Sequence, residues 1–258
     1  MISAVVLAAG ESKRMGRPKQ MLAWRGKTLL RHVLDSLIDS DVDEIILVLG
    51  HEAEAILKSL SDLFKPCESR DPSARWTFFD PASPRFAAKT KLALRAQTVV
   101  FAGAPLRRQG APKNLQCALP ESDFHRARNK VVINPDYTQG MASSLRAGLL
   151  ALDPGSEAFL VLLADQPGIG PEIINRMIRG FRQADPRRGI VRPLYRGRGG
   201  HPVLIGARYL QEALQLHGDV GARQILIDHP GDILEIDVDK DSVLMDIDTP
   251  EEYEKLTI

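Results

Sequence analysis

Short apolar runs alternate with amphipathic helical patterns along this chain, and that alternation limits the possible folds more than any other feature. The runs are Ala4 to Leu7, Glu44 to Leu49, Lys130 to Ile133, Ala158 to Leu163, Gly189 to Arg192 and Ile233 to Val238. Their apolar residues are consecutive rather than alternate, the pattern of strands covered on both faces. Between the runs, Leu29 to Ser40 places Leu30, Val33, Leu34, Leu37 and Ile38 on one helical stripe. Pro171 to Arg182 opens with Pro and then Glu172, both favoured in a first helical turn. Thr249-Pro250-Glu251-Glu252 reads as a capping box with Pro at the first helical position. The pattern predicts a doubly wound α/β sandwich. Ligands in such sheets sit beyond the carboxyl ends of the strands, so the chemistry is expected just after each run.

The 258 residues suit one large α/β domain, taken as a single unit over 1–258. Lys and Arg number 34 against 33 Asp and Glu, so no global field favours nucleic acid or an acidic membrane surface. No uncharged apolar window reaches the length of a membrane span. The apolar segment Met1 to Leu7 soon meets Glu11, Lys13 and Arg14, and is expected to be a buried strand rather than a signal peptide. Cys67 and Cys117 match no metal spacing and are expected to be free thiols of a cytoplasmic protein. One stretch breaks the rhythm. Lys65 to Lys130 holds thirteen Lys and Arg against five Asp and Glu, with seven prolines. It is too long for an ordinary loop. The reading is a basic, Pro-rich insertion at about 61–129, partly disordered or loosely folded, with a strand at Thr98 to Phe101 and a short helix at Phe86 to Gln97. Two roles stay open for it: a solvated surface excursion, or a basic flap over an anionic substrate.

The first run leads into Leu7-Ala8-Ala9-Gly10-Glu11-Ser12-Lys13-Arg14-Met15-Gly16-Arg17-Pro18-Lys19. Small residues at Ala8, Ala9 and Gly10 let a ligand approach the backbone, whose N–H groups can take phosphate oxygens or base edges. Lys13, Arg14, Arg17 and Lys19 put four cations within seven positions, a polyphosphate cradle. Neither Gly-x-x-x-x-Gly-Lys-[Ser/Thr] nor Gly-x-Gly-x-x-Gly is present here.

This string, continuing to Leu22, Gly26, Leu29 and Leu30, resembles the signature of the MobA-like nucleotidyltransferases, in particular their molybdenum cofactor cytidylyltransferase branch. The resemblance implies a three-layer α/β/α Rossmann-like, GT-A-like nucleotidyltransferase fold with a mostly parallel sheet. It implies transfer of CMP from CTP to the terminal phosphate of molybdopterin, with pyrophosphate released. In that reading Arg14, Lys19 and Asp165 are catalytic. Leu7, Ala8, Ala9, Gly10, Arg14, Lys19, Asn134, Gly140, Ser143 and Ser144 bind the nucleotide. Mg²⁺ is held by Asp165, at the end of the run Ala158 to Leu163, and by Asp248. The Ala-Ala-Gly string is similar to that of the cytidylyl rather than the guanylyl branch.

Several residues keep two readings. Ser143 and Ser144 face the nucleotide or cap a helix. Asp246 and Asp248 share one face if Met245 to Asp248 is a strand, with Asp246 either a second carboxylate of the site or an edge-strand charge. Gly200 and His201, in a Gly-His-Pro segment, and Arg223 are the expected acceptor contacts, with a turn histidine as the alternative for His201. Asp219 is expected to cap the helix that follows it. A recipient molybdoenzyme or its chaperone is an expected partner. Transfer to a sugar phosphate, guanylyl transfer, or non-catalytic delivery of the cofactor are the rival functions.

Overall fold

The computed structural model describes residues 1–60, 63, 76–79 and 129–257. Eleven strands can be followed in chain order. They are β1 (Ile2–Ala8), β2 (Ala23–Trp24), β3 (Lys27–Thr28), β4 (Glu44–Leu49), β5 (Trp76–Phe79), β6 (Asn129–Ile133), β7 (Ala158–Leu163), β8 (Ile190–Tyr195), β9 (Arg198–Gly199), β10 (Val203–Gly206) and β11 (Ile233–Asp237). Nine form one sheet in the order β11-β8-β10-β7-β1-β4-β6-β5, with β9 on β8, while β2 and β3 make a small hairpin.

β1 is buried at all seven positions and pairs in parallel with β4 on one side and β7 on the other. Its consecutive apolar residues follow from this: alternate side chains point to opposite faces, and both faces are covered. Ala4 and Val6 pack with the helices Leu29–Ile38, Ala53–Ser59 and Pro171–Gln183. Val5 and Leu7 pack on the other face with Met141–Leu149, Leu210–Ala213 and Arg223–Asp228. Each buried Val, Leu or Ile contributes about 1.5–3 kcal/mol. The expected three layers are therefore present.

Helix boundaries follow local chemistry. Thr28 caps Leu29–Ile38, its hydroxyl accepting from the Arg31 N–H at 3.2 Å. The expected capping box also forms. Glu252 N–H donates to Thr249 Oγ1 at 3.3 Å, and Glu252 Oε2 accepts from Thr249 N–H at 3.0 Å. Pro250 then opens the final helix, Pro250–Thr257.

Four features depart from the sequence reading or fall outside it. β10 runs antiparallel between β7 and β8, so the sheet is mixed, although most of its pairings are parallel. Residues 245–248 form no strand, and the shared face expected for Asp246 and Asp248 does not arise. The interval read as an insertion supplies a sheet strand, β5, paired in parallel with β6. The strand and helix expected at 98–101 and 86–97, together with Cys67 and Cys117, lie outside the described residues. Among the described residues no helix is long and apolar enough to cross a membrane.

Candidate active site

The carboxyl ends of β1 and β7 open into a cavity of about 500 Å³. The loop after β1 and the short turn Lys19–Met21 close one side of it. The start of the helix Met141–Leu149 closes the other, and Asp248 reaches in from the segment before the last helix. The lining mixes charged and uncharged residues: Glu11, Lys13, Arg14, Lys19, Asp165, Asp219 and Asp248 beside Ala8, Ala9, Tyr137, Thr138, Met141 and Ser144. Gly10 is also in the lining, and a side chain added there would meet nothing within 4 Å, so its backbone is open to a ligand.

Lys19 joins two of the carboxylates. Its Nζ pairs with Asp165 Oδ2 and donates to Asp248 Oδ1 at 2.7 Å. Arg14 Nη1 stands 3.8 Å from Asp248 Oδ2 on a largely exposed side chain. Burial pulls the Lys19 ammonium down, but Asp165 and Asp248 together override it and hold its pKa above the ordinary value. Burial pushes the Asp165 carboxyl up; Lys19 opposes the rise, and the charge on Asp246 adds to it. The Lys19 hydrogen bond holds the more exposed Asp248 below the usual carboxylate range, against its partial burial and with Arg14 assisting.

Asp165 is 5% exposed, and its Oδ1 is buried with no hydrogen-bond partner. A buried carboxylate oxygen left unpartnered is costly, so this atom fits a ligand for a cation. Together with Asp248 it gives two hard oxygen donors. Among the described residues no cluster of three or more His, Cys, Asp or Glu could form a complete protein cage. That suits Mg²⁺, which is commonly held by one or two carboxylates and completed by water and phosphate oxygens.

The other residues singled out from sequence fall into three groups. Leu7, Ala8, Ala9, Gly10, Gly140 and Ser144 line the cavity. Asn134 and Ser143 lie behind its wall: Asn134 Nδ2 donates to the hydroxyls of both Ser143 and Ser144 at 3.0 Å, bracing that helix turn. Gly200, His201 and Arg223 are outside the lining. Gly200 is pressed against the Val243 carbonyl, and Arg223 is exposed at the start of its helix. His201 is mostly buried, which lowers its pKa against the charges of Asp246 and Asp165.

The other two loop cations meet partners of their own, Lys13 from within the cavity lining. Lys13 pairs with Glu11 at 2.9 Å, and the Arg17 guanidinium lies 5.8 Å from the Tyr253 ring. Asp219 does not cap the helix that follows it. Its Oδ1 accepts from Met141 N–H at 3.0 Å, capping from 78 residues away a helix whose own N-cap, Gly140, has no side chain to do so. Gln166 was missed altogether. It is buried, and its Nε2 donates to Asp246 Oδ1. Its place directly after Asp165 was the available signal.

Residues 4–73 and 88–233 match the MobA-like NTP transferase domain. The chain belongs to this family. This MobA-like transferase is 26% identical over 260 residues to the nicotine blue oxidoreductase of Paenarthrobacter nicotinovorans, covering 99% of this chain and 96% of the relative. It is 30% identical over 123 residues to the molybdenum cofactor cytidylyltransferase of Escherichia coli K12, covering 48% of this chain and 59% of that one. Among solved structures, Rv0371c from Mycobacterium tuberculosis superimposes with a TM-score of 0.66 at 25% identity, over 99% of this chain and 96% of that chain.

Proposed function

We propose that this nucleotidyltransferase moves CMP from CTP to the terminal phosphate of molybdopterin and releases pyrophosphate. The observation that carries the reading is the charge arrangement in one cavity: Lys19 joined to both Asp165 and Asp248, with Arg14 at their edge. Support for the base and acceptor comes from the Ala8-Ala9-Gly10 string and from the cytidylyltransferase relative.

The uncharged lining residues suit the base and ribose, and the cations Lys19 and Arg14 the triphosphate. Lys19 and Arg14 would hold the β- and γ-phosphates and offset the charge that grows on the leaving pyrophosphate. Asp165 and Asp248 would hold Mg²⁺, which supplies charge neutralisation to the phosphates when bound. The acceptor's phosphate monoester has a second pKa near ~6, so it is mostly dianionic at neutral pH. Its oxygen attacks the α-phosphorus, a P–O bond forms, and the bond to pyrophosphate breaks. No proton has to be removed, so positioning and electrostatics carry the rate.

Pyrophosphate release with molybdopterin as acceptor and CTP, GTP, UTP or ATP as donor tests the reading. CTP is expected to exceed the others at least tenfold. Preference for another base, or for a sugar phosphate as acceptor, overturns the assignment within the family. Nucleotide binding without pyrophosphate release points to a delivery role. A second reading, a redox role on the same frame, rests on the near-full-length match to the oxidoreductase relative. Oxidation of a reduced dinucleotide, with no pyrophosphate formed from any donor, would favour it.

A further inference from the structure

The loop after β1 carries the cations, yet little in its sequence says what holds it in shape. Its residues Lys13, Arg14, Gly16 and Arg17 are exposed. Lys19, by contrast, reaches both carboxylates with a side chain only 24% exposed. Something must fix the backbone at Lys19 while the tip stays in solvent.

The fixing residue is Gln20. It is 2% exposed and lies in the wall of the cavity. Its Nε2 donates to the Ala8 carbonyl at 3.2 Å. Ala8 is the last residue of β1, where the chain turns out of the sheet towards Ala9 and Gly10. The Gln20 Oε1 accepts from the Ser12 hydroxyl at 3.4 Å, and the same hydroxyl accepts from the Lys19 N–H at 3.0 Å. Ser12 is held at φ 53°, a left-handed conformation uncommon for a residue with a side chain. Its carbonyl accepts from the Met15 N–H at 2.9 Å, so the turn is closed on both sides of that strained residue. One buried amide therefore joins the strand end, the turn of the loop and the backbone of the residue that bridges Asp165 and Asp248.

We infer that Gln20 is a positioning residue for triphosphate binding, acting through Ser12 and the Ala8 carbonyl. The tie splits the loop into a fixed frame, Ala8 to Ser12 with Lys19 and Gln20, and an exposed tip that carries Arg14. The frame sets where the backbone N–H groups after β1 and the Lys19 ammonium stand before any ligand arrives. Preorganisation of this kind spares the ligand the entropy of ordering the loop. The inference rests on the reading of this cavity as a nucleotide site, and it deepens that reading by assigning the phosphate subsite its supporting residue.

The test uses the full chain and two probes, CTP and inorganic tripolyphosphate, with Mg²⁺ present and binding followed calorimetrically. Gln20→Met keeps the volume and removes both hydrogen bonds. It is expected to weaken both probes at least tenfold, with a melting temperature within a few degrees of the native chain. Ser12→Ala is expected to weaken them similarly. The double variant should be no more than about twofold worse than the worse single, because both changes break one tie. If Gln20→Met does not fold, Ser12→Ala, on the partly exposed loop, carries the comparison alone. Affinities for both probes within twofold of native, whatever happens to the melting temperature, would make Gln20 merely structural and overturn the inference. A native chain that binds neither probe removes the nucleotide reading and this inference with it. A native chain that binds tripolyphosphate but prefers another base leaves the inference standing and corrects only the choice of donor.

Discussion

At the scale of single residues, the site is a contest for four carboxylate oxygens. Lys19 holds one oxygen of Asp165 and one of Asp248, the same two groups that fit a divalent cation. An ammonium and a metal ion cannot both sit at full occupancy between them, because each would repel the other at contact distance. Lys19→Ala is therefore expected to bind Mn²⁺ several-fold more tightly than the native chain without nucleotide, as read by the loss of free-ion EPR signal. Its turnover should nevertheless fall by about 10²–10³, the usual loss when one preorganised stabiliser of transition-state charge is removed. Weaker metal binding in that variant would refute the competition. Asp165→Asn should lose turnover on a similar scale and yet melt no lower at pH 7. Burial raises the folded-state pKa of Asp165. Ionising it therefore costs stability progressively as pH climbs through the unfolded value of about 3.9, and a neutral isostere avoids that cost. The sequence puts Asp165 at the end of an apolar strand, where a carboxylate needs either a cation partner or strand-end solvation. It does not say that Lys19 is that cation, since a contact between the first loop and the seventh strand is a property of topology. Gln20 and Gln166 were harder still to read, because a glutamine carries no charge signal and shows its role only through the atoms it touches.

At the scale of elements, the helix Met141–Leu149 shows how two distant segments share one terminus. Gly140 sits at φ 103°, ψ 174°, a region that only glycine occupies readily. A Cβ there would stand 2.6 Å from the Gly218 carbonyl carbon and 2.7 Å from Asp219 Oδ1. Gly218 O in turn accepts from Ala142 N–H at 2.9 Å. Gly140→Ala should thus cost about 1–3 kcal/mol in urea unfolding, and also expose the amides of 141 and 142 to faster hydrogen exchange. Normal exchange at those amides would show that the 218–219 loop does not cap them. The helix Leu29–Ile38 offers a check on electrostatics. Partial burial pushes the Asp35 carboxyl up, but hydrogen bonds from Lys27 at 2.7 Å and Arg31 at 2.6 Å override it and leave it below the usual range. A depressed carboxylate stabilises the fold above its unfolded pKa of about 3.9 and loses that contribution as pH falls through the folded value. Asp35→Asn is expected to cost less than about 1 kcal/mol near neutrality, given the exposure of Lys27, and to match the native chain at the acid end of a urea series. The strands and helices with clear periodicity were readable to within a residue or two, except β8, which runs three residues beyond the expected end at Arg192, to Tyr195. The Gly-rich turn before β10 signals a strand there, but four residues carry no indication of its direction.

At the scale of the whole molecule, chemistry and one strong constraint on the fold occupy opposite ends of the sheet. The cavity lies at the carboxyl ends of β1 and β7. At the amino ends of β4 and β6, Glu44 and Lys130 form a pair with no exposed side-chain surface. Lys130 Nζ also donates to the Ala151 carbonyl at 2.8 Å, and Glu44 Oε2 accepts from Asp153 N–H at 3.1 Å. The pair therefore ties two parallel strands to the turn that leads into β7. Sequence showed the apolar runs but not this buried pair, because nothing in the segments Glu44 to Leu49 and Lys130 to Ile133 says that their first residues meet. Removing one partner leaves the other ionised in a dry place, at a cost of about 3–5 kcal/mol, whereas removing both spares that penalty. Glu44→Gln and Lys130→Met are each expected to lower stability on that scale in urea unfolding. The double variant Glu44→Met/Lys130→Met should regain much of the loss, but not all, since the Asp153 amide loses its acceptor and an unmet buried donor costs about 1–3 kcal/mol. Single variants that cost under 1 kcal/mol would mean that water reaches the pair and that it does not hold the strands. Wherever the variants remain folded, pyrophosphate release is expected to match the native rate, because the proposed nucleotide site lies at the carboxyl ends of β1 and β7, at the opposite end of the sheet from the pair.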